Sequence, residues 1–206
     1  MRNTLILSAI ILMAAACTEG PASIPVQQPE ARQFFASLEG NPGTKTHVNG
    51  EGHLRWNAGD LISVFAASTA NQEYRFDGQT GDEGGSFSLV SGSTASGSAL
   101  GANYALYPYS ETAAASSGGA ITTSLPSVQR YAGDSFGINS NTMVAVTRNT
   151  DDNLLSCRNA CGYLVIKLYG DAAISSVRLE GGNGEKIAGP VTVTAAYGGV
   201  PSVAMA

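Results

Sequence analysis

Cysteine is the residue type to weigh first, because the chain has only three and each position suggests different chemistry. Cys17 directly follows Ala14-Ala15-Ala16, which are small as a peptidase site requires. Ahead of them lie Arg2 and the apolar run Leu5–Met13, too short to span a bilayer comfortably. Together they form a lipobox that departs from the usual pattern at one position, where Ala14 stands in place of the commoner Leu. The chemistry expected is acylation of the Cys17 thiol once residues 1–16 are removed, and more than one acyl chain makes a stable anchor. Cys157 and Cys161 are the other two. Export permits a disulfide, yet residues four apart in a strand lie roughly 13 Å apart, beyond its Cα reach. Two buried or half-buried free thiols are expected.

Other reactive types are sparse or poorly grouped. The two histidines, His47 and His53, flank a predicted hairpin turn at Asn49-Gly50 and read as exposed polar positions. No Cys-x-x-Cys pair accompanies them, so no zinc site is expected. Asp77, Asp82 and Glu83 share one loop, but their spacing is not that of an EF-hand, and a solvated turn is expected. Asp60 falls in a turn and Glu180 at a strand end, both structural positions. The chain is therefore expected to be no enzyme and to hold no metal or cofactor. Trp56, Tyr74, Tyr104, Tyr107 and Tyr109 are the aromatic side chains able to stack on sugars, which makes a glycan-binding surface lipoprotein the alternative function. A net charge of -5 argues against a nucleic-acid partner, which needs a basic footprint.

The elements that must position these residues read as strands. Hydrophobic residues make up 43% of the chain and charged ones 13%, with 25 glycines, a balance suited to strands and turns rather than surface helices. No convincing helical period follows residue 17. Residues 17–33, with Pro21, Pro25 and Pro29, read as a tether. From Phe34 to Ala206 short extended segments alternate with turn residues: 33–38, 44–48, 53–56, 61–65, 74–76, 86–90, 104–109, 121–125, 143–146, 163–169, 174–179, 186–189 and 191–194. Residues 91–102 and 110–120 read as low-complexity loops, and 128–141 as irregular. Tyr163–Tyr169 is the strongest strand signal, with Leu164, Ile166 and Leu168 on one face and Tyr163, Val165 and Tyr169 on the other; apolar groups on both faces imply a central position. The natural architecture is an all-β Greek-key sandwich. The chain stops within a strand-like stretch, Ser202–Ala206, so the expectation is a first domain truncated at its C-terminal end, with a second β-domain missing.

Four phrases carry a resemblance: Leu54-Arg55-Trp56-Asn57-Ala58-Gly59-Asp60-Leu61-Ile62-Ser63-Val64-Phe65, Tyr104-Ala105-Leu106-Tyr107-Pro108-Tyr109, Leu125-Pro126-Ser127-Val128-Gln129-Arg130-Tyr131 and Asn159-Ala160-Cys161-Gly162-Tyr163-Leu164. In this order, behind a lipobox, they resemble the fimbrillin family of Bacteroidales lipoproteins, from about Phe34 to the end. The resemblance implies a transthyretin-like Greek-key β-sandwich over residues 34–206 and a place in a fimbrium (pilus) as subunit, anchor or tip. It implies an outer-membrane, surface-exposed location through palmitate or a similar acyl chain on Cys17, and a role in cell adhesion. The partners implied are the membrane, other pilus subunits joined by strand exchange, and a host or bacterial surface receptor. Strand exchange is β-augmentation, in which backbone hydrogen bonds give strength and alternate side chains give selectivity. In some members an arginine-specific protease removes the first strand. Here a cut at Arg32 would remove only the tether, and a cut at Arg55 two or three strands; neither matches such a processing loop clearly, which leaves a permanently lipidated anchor or terminal subunit as the alternative role.

Overall fold

A computed structural model of the chain describes residues 32–38, 47–48, 54–92, 97–133 and 135–206. All fall within one compact unit, Ala31–Ala206. The all-β expectation holds: thirteen strands and no helix occur among the described residues. They are β1 (Phe34–Leu38), β2 (His47–Val48), β3 (Leu54–Arg55), β4 (Leu61–Phe65), β5 (Gln72–Phe76), β6 (Gly84–Ser91), β7 (Tyr104–Tyr107), β8 (Ala114–Ala115), β9 (Ile121–Leu125), β10 (Met143–Val146), β11 (Leu154–Asn159), β12 (Gly189–Thr194) and β13 (Ser202–Met205).

Seven strands close into a barrel in the order β1-β11-β10-β7-β4-β5-β6, and β6 returns to β1. Every neighbouring pair is antiparallel except β1 with β11, which runs parallel with Leu38 beside Cys157. A second sheet, β13-β12-β9-β8, packs on the outside of the barrel, and β2 and β3 form a separate two-stranded ladder.

The side-chain period of two explains both cores. In β4, Ile62 and Val64 point into the barrel while Phe65 meets the second sheet. In β7, Ala105 and Tyr107 point inward and Leu106 outward; in β10, Met143 and Ala145 inward and Val144 outward. These three adjacent strands are apolar on both faces because both are covered. The outer face meets Ile121 of β9 and Val191 and Val193 of β12.

The barrel is filled largely by rings. Trp56 lies edge-on to Phe87 at 5.1 Å and to Tyr107 at 5.5 Å between centroids, and Phe34 meets Tyr74 edge-on at 5.3 Å. Phe76 and Phe87 touch at 5.1 Å. A Cβ on Gly85 would lie 2.7 Å from the Phe76 ring, so only glycine fits there on β6. The turn that brings Trp56 inward is held at both ends. The Trp56 amide donates to the Asp82 carbonyl (2.8 Å), and the Asn57 amide donates to Asp60 Oδ2 (2.8 Å). Gly59 takes a φ of +81° there, a conformation open to glycine.

Several expectations require correction. Tyr163–Tyr169 is not a central strand, Ile174–Leu179 is not a strand at all, and of the expected strand 186–189 only Gly189 enters a ladder, as the first residue of β12. The barrel is already closed by β1, and β12 is already flanked by β9 and β13, so neither offers these segments an edge between strands. β11 had no forecast, because Leu154-Leu155-Ser156-Cys157-Arg158-Asn159 looks polar on its exposed side; Leu155 and Cys157 alone turn inward. Finally, the 110–120 stretch contains β8, paired with β9 through Ala114↔Thr122.

Candidate interaction surface

Residues singled out for chemistry are dispersed by the fold. Cys17 and His53 lie outside the described residues, and His47 is described only as backbone in β2. Cys157 faces the barrel interior as a free thiol, and burial pushes its pKa up to about 12. Cys161 is a half-buried free thiol, raised for the same reason. Asp60 braces a turn and accepts a long 3.5 Å hydrogen bond from the Tyr107 hydroxyl. Glu180 pairs with exposed Arg178 at 2.5 Å. In the acidic loop, Asp77 accepts from Ser88 Oγ (2.6 Å), Asp82 from the Gln79 amide (2.8 Å), and Glu83 pairs with Arg55. No group of three metal-ligating side chains gathers among the described residues.

The aromatic set named for sugar stacking does not form a platform. Trp56, Tyr74 and Tyr107 are buried in the barrel, and Tyr104 packs on the outer core. Tyr109 is half-buried after β7, and the exposed tyrosines are Tyr131, Tyr163, Tyr169 and Tyr197. Sequence reading also overlooked Gly133-Asp134-Ser135-Phe136-Gly137, which has the Gly-x-Ser-x-Gly spacing of a nucleophile elbow. Its context is wrong for that role: Ser135 sits in an irregular loop bridged to Ala132, without the strand and helix that present such a serine. A crevice of about 120 Å³ lies beside β10 and β11, with Ser156, Arg158 and Tyr197 as its polar lining. Arg158 spends one guanidinium nitrogen on the Gly199 carbonyl (2.9 Å). The lining includes no carboxylate or histidine to act as a base.

The feature that stands out is the connection between β11 and β12, residues 160–188, which we call the arm. Its root is fixed. The Ala160 amide donates to the Thr142 carbonyl (2.9 Å), the Tyr163 hydroxyl donates to Asn141 Oδ1 (2.8 Å), and the Tyr163 ring stacks on Phe136 at 5.5 Å. Its far end is fixed as well: Lys186 Nζ donates to the Ala206 carbonyl (2.5 Å), and a turn over Gly181–Glu185 is pinned by the Asn183 amide donating to Glu185 Oε2 (2.8 Å).

Between these ties the arm holds its apolar side chains in solvent. Leu164 is 66% exposed, Val165 78% and Tyr169 91%. Ile166, Leu168, Ile174, Val177, Leu179 and Ile187 are exposed as well. Burying a Val, Leu or Ile side chain contributes roughly 1.5–3 kcal/mol, so the arm forgoes a sum comparable to the whole stability of a typical domain. Scattered exposed apolar residues are ordinary; a contiguous run of this size marks an interaction surface. β13 presents a second such opportunity: it pairs with β12 on one side, and its other edge has no ladder among the described residues.

The signals for this surface were in the sequence, in the two apolar extended segments. Their strength was read as burial within the fold rather than as surface offered to another strand. No protein-family model, curated protein or solved structure matches the chain.

Proposed function

We propose that this protein is a lipid-anchored, surface-exposed structural or adhesion protein of the fimbrillin type, working by strand pairing rather than by catalysis. The observation that carries the reading is the arm: a largely exposed, apolar segment outside every ladder, tied at its root beside β10 and at its far end to the residue after β13. Such a segment is the material of β-augmentation. The lipobox at Cys17 supplies the anchor in this reading, and the ordered phrases supply the family. The transthyretin-like Greek-key sandwich belongs to the same proposal. Two layers of strands with a shared apolar core between β4-β7-β10 and β9-β12 support it, the barrel closure being the local variation.

The arginine-protease route gains little support. Arg55 lies in β3, largely buried and paired with Glu83. Arg32 donates to the Asp152 carbonyl (3.1 Å) and stacks on Phe34, so it holds the start of β1 in place. A permanently anchored subunit or terminal component fits these contacts better than a processed shaft subunit.

The test is labelling in cells that express the full chain. Radiolabelled palmitate should enter the parent protein and not Cys17→Ser, and a membrane-impermeant reagent should reach the protein on intact cells. Absence of label in the parent, or protection until the outer membrane is opened, would overturn the reading.

A further inference from the structure

We infer that the side-chain amides of Asn141 and Asn159 hold an ordered water at one end of the barrel, beside the stacked rings of Phe136 and Tyr163. The inference is independent of the strand-pairing function and concerns how the barrel is sealed where the chain leaves it.

Alternation along β10 and β11 brings the two amides together. Met143 stands opposite Asn159 in the ladder, and the Ala160 amide, donating to the Thr142 carbonyl (2.9 Å), carries that register one step further. Asn141 shares the inward face of Met143, and Asn159 the inward face of Leu155 and Cys157. Asn141 is 4% exposed, and its Nδ2 is buried without a protein partner. Nδ2 and Oδ1 of Asn159 are buried and unpartnered as well. A buried amide left in this way bears its full desolvation penalty, so such groups are met by protein or by ordered water. The two side chains are diagonal neighbours, roughly 7–8 Å apart. Short amides do not close that span directly, whereas one water does, with bonds of about 2.9 Å to each. Water also matches the atoms: it accepts from Asn141 Nδ2, donates to Asn159 Oδ1 and keeps a lone pair for Asn159 Nδ2, which makes about the three bonds usual for a buried water. A cation would face the two donors and an anion the Oδ1 acceptor, so neither matches. Beside the pair, the Phe136 ring packs against the barrel core and the Tyr163 ring stacks on Phe136 at 5.5 Å. The Tyr163 hydroxyl donates to Asn141 Oδ1 (2.8 Å). Asn141 therefore holds Tyr163 with one end of its amide and the water with the other, and the water helps to fix the root of the arm.

Two measurements on the full chain test this. A high-resolution crystal structure should show a well-ordered water within hydrogen-bond distance of Asn141 Nδ2 and of the Asn159 amide. A direct bond between the two amides, or no ordered water between them, would overturn the inference. The second measurement is the melting temperature of Asn159→Leu, which keeps nearly the same volume and removes both Asn159 polar atoms. Were those atoms bonded to nothing, an apolar side chain of the same shape would be neutral or stabilising. With the water in place the change removes its bonds and leaves Asn141 Nδ2 without a partner, so the melting temperature should fall by roughly 2–6 °C. A variant that melts with the parent or above it would overturn the inference. The crystal structure of the parent decides the matter on its own if Asn159→Leu does not fold.

Discussion

Asn103 shows how one side chain can organise loops distant in sequence. Fully buried ahead of β7, it accepts from the Ala67 amide at Oδ1 (2.9 Å) and donates through Nδ2 to the Asp152 (2.7 Å) and Thr150 (3.2 Å) carbonyls. Its backbone exchanges bonds with Thr147 as well. Ala67 is held at a φ of +54°, which alanine adopts only when neighbours over-determine it. Replacing Asn103 by Ala leaves buried donors and acceptors unpaired, and the expected loss is about 2–4 kcal/mol in chemical denaturation, with the slope of the transition unchanged. Tyr107 gives a pH signature at the same scale. Burial, then the Asp60 charge and hydrogen bond, hold its pKa well above the ordinary tyrosine value. Below pH 10 folded and unfolded chains both keep this proton, and no stability is lost. As pH rises past the ordinary tyrosine value only the unfolded chain sheds it, so stability falls until Tyr107 itself ionises. Tyr107→Phe should flatten that alkaline limb in denaturation midpoints taken from pH 9 upward, leaving a residue due to Tyr74, whose pKa burial also raises.

At the scale of elements, the arm and the barrel strands should separate in proteolysis. Lys167, Arg178 and Lys186 lie in exposed backbone with no ladder to protect it, whereas Arg55 and Arg158 sit in strands. Trypsin at dilute protein should cut the arm first, leaving the whole barrel in one fragment and β12 and β13 in a second that stays associated through the β9–β12 ladder; mass spectrometry finding early cleavage at Arg55 would contradict the fold. The same contrast explains what could be read in advance. Strands bounded by turn chemistry were legible: β4 behind Gly59-Asp60, β7 stopped by Pro108, β9 stopped by Pro126. β5 and β6 could be seen to pair across their Gly/Asp loop, as they do. Local pattern does not reveal whether a partner edge exists. Tyr163–Tyr169 has a stronger strand pattern than β11, yet β11 is paired on both sides and Tyr163–Tyr169 joins no named ladder. The difference lies in which edges the rest of the chain leaves open. The candidate surface was thus visible as apolar sequence and invisible as surface.

At the scale of the whole molecule, closure depends on the first described strand. β1 enters between β6 and β11, pairing antiparallel with one and parallel with the other, and its Phe34 and Ala36 are buried in the barrel. The parallel contact joins residues 119 positions apart, Phe35 with Leu154, and Arg32 adds its hydrogen bond to the Asp152 carbonyl on the same side. No sequence period encodes such a join; it follows from six other strands leaving a gap of one strand's width. A chain lacking residues through Leu38 keeps every other ladder but bares the edges of β6 and β11, together with Phe87 and Leu155 behind them. Loss of the Phe34 side chain alone is worth about 3–5 kcal/mol, and the two open edges invite association. The shortened chain should melt well below the parent and bind a hydrophobic dye. A synthetic peptide covering residues 32–38, added in trans, should restore the parent melting temperature in proportion to its occupancy of the gap. A peptide with Phe34 and Ala36 both changed to Asp should not, because those side chains point into the core. If the shortened chain melted like the parent without any peptide, the barrel would not be closed by β1, and the parallel join to β11 would have to be given up.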